Sequence, residues 1–236
     1  DRGKQTWAPR NYENEFSGWV SLRQALAGSI NTAAARLGAE VGIDRVVETA
    51  KPLGIESNVP AVPAVTLGVT ELSPVELLKV YATLANHGVQ DELTVIRGIT
   101  RDDGKAYARF IYHPKQVIDP GPADLITDMM TEVFRTGTAR MAKDWGFDRP
   151  AAGKTGTTSQ YRDSWFAGYT PQLTAVVWVG FDQPPAPTDE NKEPAAKLTG
   201  AGSALPIWIR FMKRALNGEP AVTFPVSSYL KPVRID

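Results

Sequence analysis

Two short constellations in this 236-residue sequence carry side chains suited to acyl transfer, Ser29-Ile30-Asn31 and Lys154-Thr155-Gly156-Thr157. Moving an acyl group through a serine needs a proton acceptor, donors for an oxyanion and a clamp for the acyl donor. A lysine serves as the base, or as its partner, when desolvation or a neighbouring cation lowers its pKa. A serine hydroxyl beside it both donates and accepts, so Ser29 can relay a proton to a leaving group. The Asn31 amide can hold a peptide bond of the donor from both sides. Gly156 would let a peptide backbone approach a strand edge and add as a further strand. The Thr155 and Thr157 hydroxyls, with the charge of Lys154, can grip a carboxylate. Either motif alone is weak, because S-x-N can merely cap a helix and K-T-G can be a threonine-rich strand end. Together, in this order, they are far more specific.

Other chemistries fail on the residues present. Gly153-Lys154-Thr155 imitates the end of a phosphate-binding loop, but the first glycine of that motif falls at position 148, which is Asp148. No serine sits in a G-x-S-x-G elbow. There are no cysteines, which removes disulfides, zinc-thiolate sites and a cysteine nucleophile. The two histidines, His87 and His113, read as surface or turn residues, so no metal site is expected, and no cofactor is implied. Lys and Arg together number 26, equal to Asp and Glu, and this balance gives no field for nucleic acid or an anionic membrane. No apolar run approaches the roughly 20 residues of a membrane helix. The first residues lack both a methionine and a signal-peptide core, so the chain reads as a segment of a longer one.

The elements that must position these residues can be read in outline. Ser21-Leu22-Arg23-Gln24 has capping-box spacing for a short helix reaching Gly28, with Ser29 at the break. Helices are expected from Thr32 to Gly42 and from Asp44 to Lys51, and Ser73-Pro74-Val75-Glu76 starts another that ends at Asn86-His87-Gly88. Leu93 to Thr100 and Lys105 to Tyr112 flank Asp102-Asp103-Gly104 as a hairpin. A helix follows from Pro122 to Arg135, then a strand over Lys154 to Thr158. Ser164 to Tyr169 and Leu173 to Phe181 form a second hairpin, Gln183 to Pro194 a proline-rich acidic loop, and Ala204 to Leu216 a last helix. Helical runs, an antiparallel hairpin and a closing helix predict an α+β fold, an antiparallel sheet flanked by helices.

The wider context of both motifs resembles one family. Gly153-Lys154-Thr155-Gly156-Thr157-Thr158, followed by Asp163-Ser164-Trp165-Phe166-Ala167-Gly168-Tyr169-Thr170-Pro171, is similar to the transpeptidase domain of class A, bifunctional penicillin-binding proteins. Ser21-Leu22-Arg23-x-Ala25-Leu26-x-x-Ser29-x-Asn31, Leu67 to Leu77, and Gly200 to Trp208 resemble it too, so the likeness spans nearly the whole chain. It implies a penicillin-binding, serine β-lactamase-like fold and a D,D-transpeptidase that cross-links peptidoglycan stem peptides. Ser29 and Lys154 would be catalytic; Asn31, Thr155, Gly156 and Thr157 would bind the donor or a β-lactam, and the Thr157 N–H would form half the oxyanion hole.

The family's first motif, S-x-x-K, carries the nucleophile and should precede S-x-N. None of the 28 residues before Ser29 forms it, and Ser228-Tyr229-Leu230-Lys231 stands in the wrong order, with Pro232 opposing helix there. The chain is therefore expected to be residues 1–236 of one transpeptidase domain lacking its N-terminal part, with no glycosyltransferase domain and no nucleophile of its own. Its partners would be stem peptides, β-lactams and the missing part of the same protein. The setting would be the extracytoplasmic side of a bacterial cell envelope, with the parent membrane-anchored. Two alternatives stand beside this: a non-catalytic binding or structural fragment, and a serine carboxypeptidase or β-lactamase that passes the acyl group to water.

Overall fold

In the computed structural model, residues 7–12, 14–158, 161–181, 197–231 and 233 are described. The expected loop from Gln183 to Pro194, like Pro232, lies outside them. The elements are α1 (Leu22–Ala27), α2 (Asn31–Val41), α3 (Ile43–Ala50), α4 (Pro74–Ala85), β1 (Val89–Gln90), β2 (Gly98–Thr100), β3 (Ala106–Arg109), β4 (Lys115–Gln116), α5 (Pro120–Arg135), β5 (Ala152–Thr157), β6 (Asp163–Tyr169), β7 (Thr174–Gly180) and α6 (Leu205–Ala215). The capping box expected at Ser21 forms, and the helix start at Ser73 proves to be a second one. Ser21 Oγ accepts from the Gln24 N–H and the Gln24 side chain accepts from the Ser21 N–H; Ser73 and Glu76 repeat the exchange at α4.

The central sheet runs β5-β6-β7, antiparallel throughout, with Thr155 opposite Phe166 and Phe166 opposite Val177. Alternation along the strands gives it two buried faces. One carries Phe166, Ala175 and Val177 onto α6, where Trp208 meets Phe166 with ring centroids 5.0 Å apart and Phe147 at 5.2 Å. The other carries Ala152 and Tyr169, packed by Met130 of α5, Leu26 of α1 and Tyr81 and Leu84 of α4. Tyr169 also shares a hydrogen bond of 2.7 Å with Thr127, which satisfies its hydroxyl in a buried setting. α5 thus lies between the sheet and α1, where Arg23 pairs with Asp128 and donates to its backbone carbonyl at 3.0 Å.

The expected α+β architecture holds, while several boundaries differ. The first hairpin is reduced to β2 and β3, with a register irregularity between Ile99 and Thr100. Val95, Ile96, Ile99, Tyr107, Ile111 and Tyr112 are all exposed, so the apolar alternation that suggested longer strands meets no core. The β1–β4 pairing, only two residues long on each side, has too little pattern to be read from sequence. Among the described residues, no helix is long and apolar enough to cross a membrane.

Candidate active site

Ser29 owes its position to how α1 ends. Gly28 closes the helix in right-handed conformation, and Ser29 turns left-handed with φ +55°. The Ile30 N–H then donates to the Ala25 carbonyl (2.9 Å) and the Ser29 N–H to the Leu26 carbonyl (3.2 Å), the paired bonds of a Schellman cap. That cap usually places glycine at the left-handed residue; a serine there costs about 1 kcal/mol of backbone strain. The strained residue is the one with the hydroxyl.

Asn31 opens α2, one residue earlier than expected. Its Nδ2 donates to the Arg10 carbonyl at 2.8 Å, so one amide donor is already engaged by the chain itself. The carbonyl Oδ1 and the second N–H remain, an acceptor and a donor, for the two-sided grip on a donor peptide. Beside it, Asn11 Oδ1 accepts from the Thr32 N–H and hydroxyl, both at 3.1 Å. This caps a helix whose own N-cap, Ile30, has no side chain to do so. The segment before α1 therefore belongs to the site's frame, a role that residues 21 positions away do not advertise.

Lys154 reaches Ser29 from the strand β5. Its Nζ donates to Ser29 Oγ at 2.8 Å, to the Thr155 carbonyl at 3.0 Å, and less closely to Thr155 Oγ1 at 3.5 Å. The two residues are 125 positions apart in sequence, as the motif pairing predicted. Burial lowers the Lys154 pKa to about 8, because an ammonium taken out of water is destabilised. Ser29 Oγ accepts from Lys154, which leaves its own proton free to be donated.

β5 becomes steadily more open from Ala152, buried, to Thr157, exposed. It pairs only with β6 among the described residues, so its outer edge is unpaired, as strand addition requires. The strand ends at Thr157 and not Thr158, where the chain turns and the Thr158 hydroxyl accepts from the N–H groups of Arg162 and Asp163. Gly156 lies opposite Trp165. Thr157 Oγ1 accepts from the Gly200 N–H at 2.9 Å. A side chain at Gly200 would lie 2.7 Å from the Trp165 carbonyl oxygen, so only glycine lets this turn press against β5 and β6. Ser164 fixes the same turn: buried, it donates to the Thr199 carbonyl (2.7 Å) and accepts from the Ala204 N–H (3.1 Å).

The remaining singled-out residues fall outside the site. Asp163 accepts from Trp178 Nε1 at 2.9 Å, and Trp165 stacks near Trp178, which ties β6 to β7. His87 is half-exposed and pairs with Asp124 at 2.6 Å. Ser228 and Tyr229 form a turn and Lys231 is exposed, so this S-x-x-K match has no helix to bring its ends together. A cavity of 630 Å³ lies against α6 between Trp145, Ile209 and Arg210, and none of the site residues lines it.

Residues 1–200 match the family described as penicillin binding protein transpeptidase domain. The chain belongs to that family. It is 36% identical over 228 residues to penicillin-binding protein 1B of Haemophilus influenzae, and 36% over 209 residues to penicillin-binding protein 1A of Aquifex aeolicus. These alignments cover 96% and 89% of the chain but only 28% and 27% of the relatives, so the chain spans little more than a quarter of their length. In three dimensions it resembles penicillin-binding protein 1A of Haemophilus influenzae, with TM-score 0.83 and 26% identity over 96% of the chain and 38% of that structure. It also resembles the PonA1 protein of Mycobacterium tuberculosis, solved in complex with penicillin V, with TM-score 0.73 and 27% identity over 96% of the chain and 63% of that structure. The penicillin-binding α+β fold is thus shared with solved members of the family.

Proposed function

We propose that this chain supplies the second and third motifs of a D,D-transpeptidase site, and that the serine to be acylated comes from another part of the same protein. The observation that carries this reading is the Lys154–Ser29 hydrogen bond of 2.8 Å at the open end of an edge strand. In acylation, the attacking serine would give its hydroxyl proton to the lysine of its own S-x-x-K motif, its oxygen would bond to the carbonyl carbon of a D-Ala-D-Ala donor, and the peptide C–N bond would break. The departing amine needs a proton. Ser29 gives it one and is reprotonated by Lys154, whose lowered pKa of about 8 suits it to proton transfer near neutrality. Thr157 receives a hydrogen bond from the Gly200 N–H, which leaves its own proton free for the donor's carboxylate. The Thr157 backbone N–H forms half the oxyanion hole, with Asn31 and Gly156 placing the peptide. The acyl group then passes to an amine of a second stem peptide. A β-lactam, with a carboxylate in the corresponding place, is trapped as the acyl-enzyme. Such a protein works on the extracytoplasmic side of the bacterial envelope, anchored by its remaining length.

The test is acylation of the intact parent by a fluorescent penicillin. Lys154→Ala should slow it by a factor on the order of a hundred or more, as for loss of charge at a reacting centre, while Lys231→Ala leaves it unchanged. Because Lys154 must carry its proton to supply the relay, the rate should fall as pH rises through about 8, and the lysine variant should lose that limb. Equal rates in the two lysine variants would sink the assignment. The chain alone should form no adduct, which intact-mass spectrometry checks directly.

A further inference from the structure

We infer that Thr138, which belongs to neither motif, is a positioning residue that joins the two halves of the site; this rests on the transpeptidase reading above. Thr138 follows α5 in the turn Thr136-Gly137-Thr138. Its backbone N–H donates to the Ala27 carbonyl at 3.2 Å, at the last residue of α1 and two residues before Ser29. Its side chain turns the other way, and its Oγ1 shares a hydrogen bond of 2.8 Å with Thr155 Oγ1, beside Lys154. One residue thus touches, through backbone and side chain separately, both segments that carry the reacting groups. The turn is built for this approach. A side chain at Gly137 would lie 2.4 Å from the Ala27 carbonyl oxygen, and the Ala139 N–H closes back on the Val133 carbonyl at 3.0 Å.

The hydroxyl pair has a chemical consequence. Thr155 Oγ1 has one proton and two lone pairs. Either hydroxyl of the pair can donate; with Lys154 approaching Thr155 Oγ1 at 3.5 Å, the arrangement that serves an incoming carboxylate is Thr138 donating, which leaves the Thr155 proton for it. Without the Thr138 hydroxyl, Thr155 is free to turn that proton elsewhere. Thr138 therefore acts on substrate through Thr155 and not by contact.

Thr138→Val in the intact parent removes the hydroxyl and keeps both the shape and the backbone bond to Ala27. The second-order rate of acylation by a fluorescent penicillin is expected to fall about tenfold, the size of one lost hydrogen bond. T138S should recover most of it. The T138V/T155V double variant should react no more slowly than T155V alone, since one residue acts through the other. A purely structural role would instead make the two losses multiply, which overturns the inference, as does T138V reacting at the wild-type rate. If valine lowers the melting temperature, T138S and T138A carry the test: a fast serine and a tenfold slower alanine support it, and equal rates overturn it. A wild-type parent that takes up no penicillin defeats the functional reading and this inference with it, whereas an acylated wild type with an unaffected T138V defeats this inference alone.

Discussion

At Ser29, backbone and chemistry pull in opposite directions. The left-handed residue of a helix cap favours glycine, while the proposed relay needs a hydroxyl. Ser29→Ala and Ser29→Gly both delete the hydroxyl and should lose acylation to the same degree in the intact protein. They should differ in stability, the glycine variant being the more stable by about 1 kcal/mol because it alone relieves the positive φ. Comparing their unfolding free energies checks this, and an alanine variant as stable as glycine would mean that the cap is unstrained. The sequence showed the serine and its break, because Ser21-x-x-Gln24 and Gly28 bracket a short helix. It could not show which residue turns left-handed, since glycine at 28 was the natural candidate and the structure gives that conformation to its neighbour. Thr138 was illegible for another reason: a threonine after a helix has no signature until the fold brings Ala27 and Thr155 to it.

Elements with local signals emerged close to where they were expected, α4 most clearly. Its N-cap Ser73, Pro74 and Glu76 are all legible, yet the larger role of Glu76 is tertiary. The buried carboxylate accepts from the N–H and hydroxyl of Ser73, from the N–H and hydroxyl of Ser57, and from the Glu56 N–H, at 2.7–3.0 Å. These bonds, with the Ser73 backbone foremost and Ser57 next, hold its pKa down at about 2. A carboxyl pKa depressed in the folded state adds stability above its ordinary value of 4.5, and that stability is lost as pH falls towards 2. Glu76→Gln should therefore cost about 2 kcal/mol at neutral pH, the size of hydrogen bonds to a charged group, and flatten the acid limb of the stability profile. Unfolding measured between pH 7 and pH 3 decides it: a variant that tracks the wild type would show the carboxylate to be idle. The strands were less legible than the helices. β5 to β7 were recognisable because Phe166, Val177 and Tyr169 alternate against real cores, whereas the same alternation from Leu93 to Tyr112 lies on the surface.

Across the whole molecule, the site is assembled from distant parts. Ser29 with α1 and Lys154 with β5 are joined through α5, and Tyr81 of α4 meets Tyr169 of β6 edge to face at 6.3 Å. The order of the two motifs could be read in sequence; the α5 bridge between them could not, because only the fold decides what its apolar face and Asp128 meet. The chain's midpoint tells a different story. The turn between β2 and β3 lies on the surface with Arg101 and Lys105 both exposed, and no site residue leans on that hairpin. Covalent continuity there should be dispensable. Brief trypsin treatment of the intact protein should cut at Arg101 or Lys105, where exposed turn residues are the preferred sites of nicking. The nicked protein should keep its two pieces together under native conditions, separate only in denaturant, and take up penicillin as fast as the uncut protein. Loss of uptake on nicking would mean that the hairpin props up the site from a distance. Retention would define a severable seam, at which the chain could be expressed as two polypeptides that recombine into one working half-site.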